Sequence, residues 1–233
     1  MTRRKRRKRG QCTYCGKTSA LTRDHVIPRC LFSLSSPVFM VTVPACKECN
    51  EEKAKHDNYL RDMLVLDMHG SQSSVAQILL EGKVKRAVRT NRSEVARLAL
   101  RYGRVEPLRT PAGIYVGQVI SIPLDDERIK HIFSLIVRGL YYKVRKQRLR
   151  DDCVFSVRRL TAAEFNTGLE ELKEIGFNGP YALGEGVFSF IFMYAAEEPS
   201  VTQFWLWFYE RICFYVATEL EDLEHASVAT SDQ

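Results

Sequence analysis

The 233-residue sequence predicts an α+β protein with three consecutive regions. Residues 11–70 contain two cysteine pairs, and residues 11–58 show little hydrophobic periodicity. Residues 72–103 carry apolar side chains at helical spacing, and residues 112–220 mix such segments with β-branched and aromatic runs. We therefore expect an antiparallel sheet packed on one or two helices in the last region. The sequence assigns no role to the C-terminal region as a whole, residues 71–233.

Three helices are predicted between residues 50 and 103. The first begins near residue 50, and SSVAQILLEGKVKRAV forms the second. In the third, NRSEVARLALRYG, Asn91 is expected to be the N-cap. Glu94 completes a capping box three residues later, and Gly103 ends the helix.

The C-terminal region is expected to contain both strands and helices. IYVGQVISI predicts a strand, and DDERIKHIFSLIVRGLYYKVRKQRL predicts a long amphipathic helix. CVFSVRRL predicts a strand, followed by the helix TAAEFNTGLEELKEIG with Thr161 and Glu164 as its capping box. GVFSFIFMY and TQFWLWFYERICFYVAT predict two further strands divided by the turn AEEPS. Cys153 and Cys213 are expected in the core of these strands.

The net charge of +7 is distributed unevenly. Residues 1–10 predict a disordered arm, and its basic side chains are Arg3, Arg4, Lys5, Arg6, Arg7, Lys8 and Arg9. Residues 10–161 hold 26 basic and 15 acidic residues, a balance of +11, whereas residues 162–233 hold 2 basic and 13 acidic residues, a balance of −11. The basic N-terminal part suits binding of a polyanion. The acidic C-terminal part should face away from that polyanion or bind a different partner.

The sequence has no run of eighteen apolar residues and no apolar signal segment at its N-terminus. We therefore expect no membrane partner and a cytoplasmic location. In a reducing cytoplasm, C-x-x-C pairs indicate metal or redox chemistry rather than disulfides.

Four of the seven cysteines form two C-x-x-C pairs, Cys12 with Cys15 and Cys46 with Cys49. Each pair can supply two ligands to one ion from a tight turn, and four thiolates complete a tetrahedral coordination sphere. The spacing predicts a structural zinc that holds together a segment with too little apolar core. The alternative is a pair of redox dithiols. Cys30 has no partner at metal-binding spacing and stays unassigned.

A lone Asp-His pair, Asp24 and His25, lies between the two cysteine pairs. A carboxylate prefers a hard cation such as magnesium, and a neutral imidazole near pH 7 can accept a proton from water. Asn50 follows the last cysteine directly, and its amide oxygen could be a second ligand. The zinc would hold Asn50 close to Asp24 across a long gap in the sequence.

The order of these motifs resembles that of HNH endonucleases, which have a ββα-metal fold. The resemblance covers residues 12–58 and consists of D-H-x-x-P between the cysteine pairs, followed by C-x-x-C-N-x-x-K. It implies that His25 is the general base and that Asp24 and Asn50 bind the catalytic divalent ion, magnesium or a similar metal. It also implies that Lys53 lies near phosphate.

The sequence departs from the family pattern at the middle Asn, which normally orients the base histidine. The corresponding stretch is VFMVTVPAC, in which Thr42 is the only polar residue before the proline, so a hydroxyl or a backbone carbonyl would have to orient His25. Two further residues are weaker candidates. His56 lies about 240° around the helix from Asn50, so both can hardly reach one ion. Asp57 is either close to the metal ligands or an ordinary solvated acid.

Together with these residues, the resemblance implies a metal-dependent endonuclease that hydrolyses phosphodiester bonds in DNA, with RNA not excluded. Arg23, Arg29 and the arm are candidates for phosphate binding, and arginines at 83–109 either extend that surface or form a solvated helix face. One alternative is a zinc-binding nucleic-acid module without turnover. Another is a redox or zinc-sensing switch. The C-terminal region is a candidate surface for a homodimer or a protein partner.

Overall fold

The computed structural model describes residues 8–33, 40–110 and 112–221. Residues 3–7 of the predicted basic arm lie outside the described part of the chain. Lys8 is described, and Arg9 and Gly10 pair with Ala20 and Ser19 in the first strand. Among the described residues, no helix has the length and apolar character that crossing a membrane requires. The chain is a mixed α+β structure with antiparallel sheets, as the sequence predicts.

The N-terminal part consists of a three-stranded antiparallel sheet and a long helix. Strands β1 (Arg9–Gln11), β2 (Thr18–His25) and β3 (Thr42–Cys46) pair in the order β1-β2-β3. Helix α1 (Lys47–Leu66) follows β3 without a loop and ends at Asp67. The segment from β2 onwards therefore has the order strand, strand, helix.

The middle region begins with a nearly continuous helical stretch. Its parts are α2 (Ser74–Leu79), a π-helical segment (Leu80–Val84) and α3 (Lys85–Arg89). Helix α4 (Glu94–Tyr102) follows, and strands β4 (Arg104–Arg109) and β5 (Tyr115–Ser121) form a separate two-stranded ribbon.

The predicted N-cap of α4 is wrong by two residues. Ser93, not Asn91, accepts a hydrogen bond from the backbone N–H of Ala96, whereas Asn91 adopts a positive φ of 54° in the preceding turn. Asn tolerates this left-handed conformation better than most residues, so it serves the turn and leaves the cap to Ser93.

The C-terminal part is a five-stranded antiparallel sheet with a helix on each face. Helix α5 (Asp126–Arg145) precedes β6 (Cys153–Leu160), and α6 (Ala162–Ile175) precedes β7 (Asn178–Leu183), β8 (Phe188–Tyr194), β9 (Thr202–Phe208) and β10 (Ile212–Leu220). The strand order is β6-β10-β9-β8-β7. The capping box of Thr161 and Glu164 is present, and Cys153 and Cys213 are buried, as predicted.

One predicted strand is in fact two. The run TQFWLWFYERICFYVAT forms the hairpin of β9 and β10, with Tyr209 and Glu210 at positive φ in the turn. Tyr209 is fully buried, and its hydroxyl donates a hydrogen bond to the carbonyl oxygen of Leu31 at 3.1 Å. The turn contains no glycine or proline that could have indicated it in the sequence, and a tertiary contact of Tyr209 accompanies it.

The largest buried cluster joins the N-terminal part to the C-terminal sheet. Val26 and Leu31, next to β2, belong to the same cluster as Phe133 of α5 and Phe208 of β9. Helix α5 approaches closely because residue 139 is glycine: a Cβ there would lie 2.8 Å from Cγ1 of Val26. The end of β2 is therefore held by packing against α5.

Candidate functional site

The four cysteines of the two C-x-x-C pairs come together in one cluster. Their sulfur atoms all lie within 4.8 Å of one another, and the sulfurs of Cys15 and Cys46 are 3.8 Å apart. A tetrahedral zinc with Zn–S bonds of about 2.3 Å requires sulfurs separated by roughly 3.8 Å. The four side chains therefore have the chemistry and the spacing to bind a metal such as zinc.

Two local structures present these sulfurs. The first pair lies in a turn between β1 and β2 that closes through a 3.0 Å hydrogen bond from the N–H of Gly16 to the carbonyl oxygen of Cys12, with Gly16 at a φ of 71°. The second pair begins α1, where the sulfur of Cys46 caps the helix and accepts from the N–H of Cys49.

Backbone amides also favour a thiolate within the cluster. Burial opposes ionisation of the Cys12 thiol, but N–H groups of Cys15, Cys46 and Tyr14 together lower its pKa below the ordinary value. For Cys49, burial and the adjacent sulfurs raise the pKa. Four thiols this close cannot all ionise without a cation, so binding of a divalent metal must displace protons.

The carboxylate of Asp24 lies at the end of β2 and is buried. The hydroxyl of Tyr14 donates a 2.5 Å hydrogen bond to Oδ2 of Asp24, and Nζ of Lys53 lies 3.5 Å from the same oxygen. Both contacts involve Oδ2. Among the described residues, none forms a hydrogen bond with Oδ1.

Lys53 is a buried lysine whose ammonium group lies close to three oxygen-bearing groups. It projects from α1, is only 5% exposed, and donates a 2.7 Å hydrogen bond to the backbone carbonyl oxygen of His25. Its Nζ also lies 3.8 Å from Asp57, one helical turn further along. Burial raises the pKa of Asp57, although the positive charge of Lys53 opposes this effect. Asp57 is therefore part of the polar cluster around Asp24 and not an isolated surface acid.

His25 follows Asp24 but belongs to the opposite face of the strand. Burial, together with the positive charge of Arg29, lowers the pKa of its imidazole, so the ring is neutral near pH 7. Its Nδ1 is buried and has no hydrogen-bond partner among the described residues. Arg29 lies in a 3₁₀ turn four residues after His25 and is exposed.

Thr42 is the cross-strand neighbour of His25 in the pairing of β2 and β3. Its hydroxyl accepts a 3.2 Å hydrogen bond from the exposed guanidinium of Arg23. Thr42 is thus adjacent to His25 across the sheet, but its hydroxyl contacts Arg23 and not the ring of His25.

Asn50 lies in the first turn of α1 and faces β2. Its amide nitrogen donates a 3.0 Å hydrogen bond to the hydroxyl of Thr22, which in turn donates to the carbonyl oxygen of Ala45. Thr22 and Asp24 are two residues apart and share a face of the strand. The helix therefore meets this face twice, through Asn50 at Thr22 and through Lys53 at Asp24.

His56 makes its polar contacts with residues outside this cluster. Its Nδ1 accepts a 3.1 Å hydrogen bond from Arg128, and its Nε2 lies 3.6 Å from Glu52. Its ring also packs edge-on against His131 of α5. His56 thus contributes to the contact between α1 and α5.

Sequence reasoning missed Tyr14 and Thr22. Thr22 could have been found, because strand alternation puts residues 22 and 24 on one face. Tyr14 lies within the first cysteine pair, and no sequence pattern indicates that its hydroxyl reaches Asp24.

No known protein-family model matches the sequence. Comparison with curated proteins and with solved structures also finds no match.

Proposed function

We propose that the protein is a metal-dependent endonuclease that hydrolyses phosphodiester bonds in DNA, in the manner of the HNH enzymes its motifs resemble. The position of Asp24 and His25 beside the thiol cluster is the observation that carries the proposal. Asp24 and His25 end a strand of a strand–strand–helix segment, and four clustered thiols close that segment. The four thiols suit a structural zinc, which leaves the chemistry to oxygen and nitrogen donors elsewhere.

Two side-chain oxygens are available for a hard cation. Both described contacts of Asp24 fall on Oδ2, which leaves Oδ1 for a metal. Asn50 uses its amide nitrogen to contact Thr22, and its oxygen has no hydrogen bond within the described part of the chain. Carboxylate and amide oxygens suit magnesium, which would stabilise charge on the scissile phosphate.

His25 has the protonation state that a general base requires. Its lowered pKa keeps the imidazole neutral near pH 7. Since Nδ1 is buried, Nε2 is the nitrogen that would accept a proton from water. The exposed guanidinium groups of Arg23 and Arg29 flank this residue in sequence and would bind phosphate oxygens. We also propose that the protein acts in the cytoplasm, where its thiols stay reduced.

A nicking assay tests the proposal. Supercoiled plasmid is incubated with purified zinc-loaded protein and magnesium, with or without EDTA, and the nicked and linear forms are quantified. We expect cleavage with magnesium, loss of cleavage with EDTA, and at least a hundredfold slower cleavage by His25→Ala. His69→Ala, an exposed histidine after α1, is the matched control and should cleave like the wild type. Absence of nicking, or equal nicking by His25→Ala, would reject the proposal.

A second candidate is a zinc-binding nucleic-acid module without turnover. Two observations favour it. Lys53 and Tyr14 already contact the Asp24 carboxylate, and the Nδ1 of His25 has no orienting partner among the described residues. This candidate predicts that the protein retards DNA in a gel at every magnesium concentration but never nicks it. The endonuclease predicts nicking by wild type and retardation without nicking by His25→Ala.

A further inference from the structure

A strongly basic surface lies outside the candidate site. Between residues 83 and 109 the chain has nine basic and two acidic residues. They occupy the end of the π-helical segment, α3, the turn between α3 and α4, α4 and β4. Seven of the nine basic residues are arginines, and all seven are exposed. The six that precede Arg109 are named here the arginine surface: Arg86, Arg89, Arg92, Arg97, Arg101 and Arg104.

These arginines lack acidic partners. Within residues 8–33, 40–110 and 112–221, no carboxylate forms an ion pair with any of the six. Glu94, one of the two acids in the stretch, pairs with Arg128 of α5 at 2.7 Å. Arg97 donates to the backbone carbonyl oxygen of Asn91, and Arg101 lies over the ring of Tyr102. The positive charge of these six side chains is therefore not neutralised by direct ion pairs.

The spacing of the arginines brings like charges together. Arg86 and Arg89 are three residues apart, and Arg97 and Arg101 are four residues apart, so each pair shares a helix face. Like charges at this spacing destabilise a helix. A solvated helix face usually mixes both signs, as the pairs Lys47–Glu51 on α1 and Lys173–Glu170 on α6 do in this chain. The arginine surface departs from that pattern, and a polyanion would relieve its repulsion.

The basic stretch begins next to the candidate site. Nζ of Lys83 donates a 3.3 Å hydrogen bond to the carbonyl oxygen of Phe32, directly after the turn that contains Arg29. The charge of Arg29 acts on His25. Lys83 therefore places the start of the basic stretch beside the turn that contains Arg29.

We infer that the arginine surface binds the phosphate backbone of double-stranded DNA beside the site of cleavage. The choice of DNA rests on the proposed function. The choice of a duplex rests on composition: Tyr102 is the only aromatic residue between residues 83 and 109, whereas single-strand binding relies on aromatic stacking. Arginine contacts to phosphate fix the position of a duplex but do not read its sequence.

The test measures binding without cleavage. Fluorescence anisotropy with a labelled 30-base-pair DNA duplex is recorded in EDTA across a range of salt concentrations. The variant Arg86→Gln/Arg89→Gln/Arg92→Gln is compared with the wild type. The variant Lys143→Gln/Lys146→Gln/Lys173→Gln has the same net charge and removes exposed lysines from the ends of α5 and α6. Each lost phosphate contact lowers the slope of log K against log salt by about 0.9.

We expect the arginine variant to bind roughly ten- to a hundredfold more weakly, with a slope smaller by about two to three, and the lysine variant to bind like the wild type. Binding by the arginine variant within twofold of the wild type would overturn the inference, as would an equal loss in the lysine variant. Tighter binding of an RNA duplex of the same sequence would overturn the choice of DNA. If the expected loss appears but wild type never nicks plasmid, the inference stands and the proposed nuclease function fails.

Discussion

The ammonium group of Lys53 lies 3.5 Å from the carboxylate of Asp24, and their side chains are only 6% and 8% exposed. Removing two charges from water at this depth is costly, and their mutual attraction only offsets that cost. While both residues are present, the ion pair therefore contributes little net stability to the fold. Loss of one member is different, because the other charge is then buried without compensation.

Lys53→Met should strongly destabilise the protein. Methionine fills a similar volume but leaves the carboxylates of Asp24 and Asp57 without their cation. We expect the free energy of unfolding to fall by about 3 to 5 kcal/mol, measured by urea denaturation of the zinc-loaded protein. Adding Asp24→Asn should recover part of the loss, because it removes the unpaired charge.

Lys55→Met provides the matched control. Lys55 lies on the same helix, is 67% exposed and pairs with Glu52 on the surface. We expect a change within about 0.5 kcal/mol. Equal costs for the two lysine substitutions would contradict the buried charge cluster.

Local signals in the sequence located most elements correctly. The capping box of Thr161 and Glu164 is encoded within four residues and appears as predicted. The cap of α4 was misassigned because Asn91 and Ser93 are both good caps, and only the turn geometry decides between them. Strands β4 and β7 were not predicted, and each contains a proline, which argues against a strand.

The candidate site was predictable only where the spacing of residues determines the geometry. Two C-x-x-C pairs predicted the thiol cluster, because each pair must present two sulfurs from one turn. The partners of Asp24 depend on which face of β2 meets α1, and this is a property of tertiary packing. Tyr14 and the burial of Lys53 therefore emerged only from the structure.

Cys49→Ser should abolish tight metal binding. Serine has a similar size but supplies no thiolate, so only three ligands remain. We expect zinc measured by elemental analysis after dialysis to fall from about one ion per chain to near zero, with a clear drop in Tm. Cys30→Ser is the control: it lies outside the cluster, serine preserves its hydrogen bond to the carbonyl oxygen of Asp57, and zinc should be retained. Zinc content that is unchanged in Cys49→Ser would argue against the tetrathiolate site.

Alkylation should separate the seven cysteines into two groups. Burial raises the pKa of Cys30 to about 12 and that of Cys213 to about 12, and it also raises the pKa of Cys153. At pH 8 a thiol with a pKa of about 12, as for Cys30 and Cys213, is ionised in only about one molecule in ten thousand, and Cys153 is itself buried. We expect iodoacetamide and mass spectrometry to find these three unmodified in the folded protein, while chelation of zinc exposes the other four. Rapid labelling of Cys30 or Cys213 in the zinc-loaded protein would contradict their raised pKa values.

Two glycine substitutions should have opposite effects on stability. Alanine normally stabilises a helix interior by up to about 1 kcal/mol relative to glycine, and this is expected for Gly168→Ala in α6, where the nearest atom is 3.6 Å from the new Cβ. Gly139→Ala places its Cβ 2.8 Å from Val26, beside His25, and should destabilise the protein by about 1 to 3 kcal/mol. Urea denaturation of both variants measures the difference. Because Val26 adjoins His25, Gly139→Ala should also slow plasmid nicking, whereas Gly168→Ala should not. Stabilisation by Gly139→Ala would contradict the close contact between α5 and Val26 at the end of β2. Packing of α5 would then not be what supports His25.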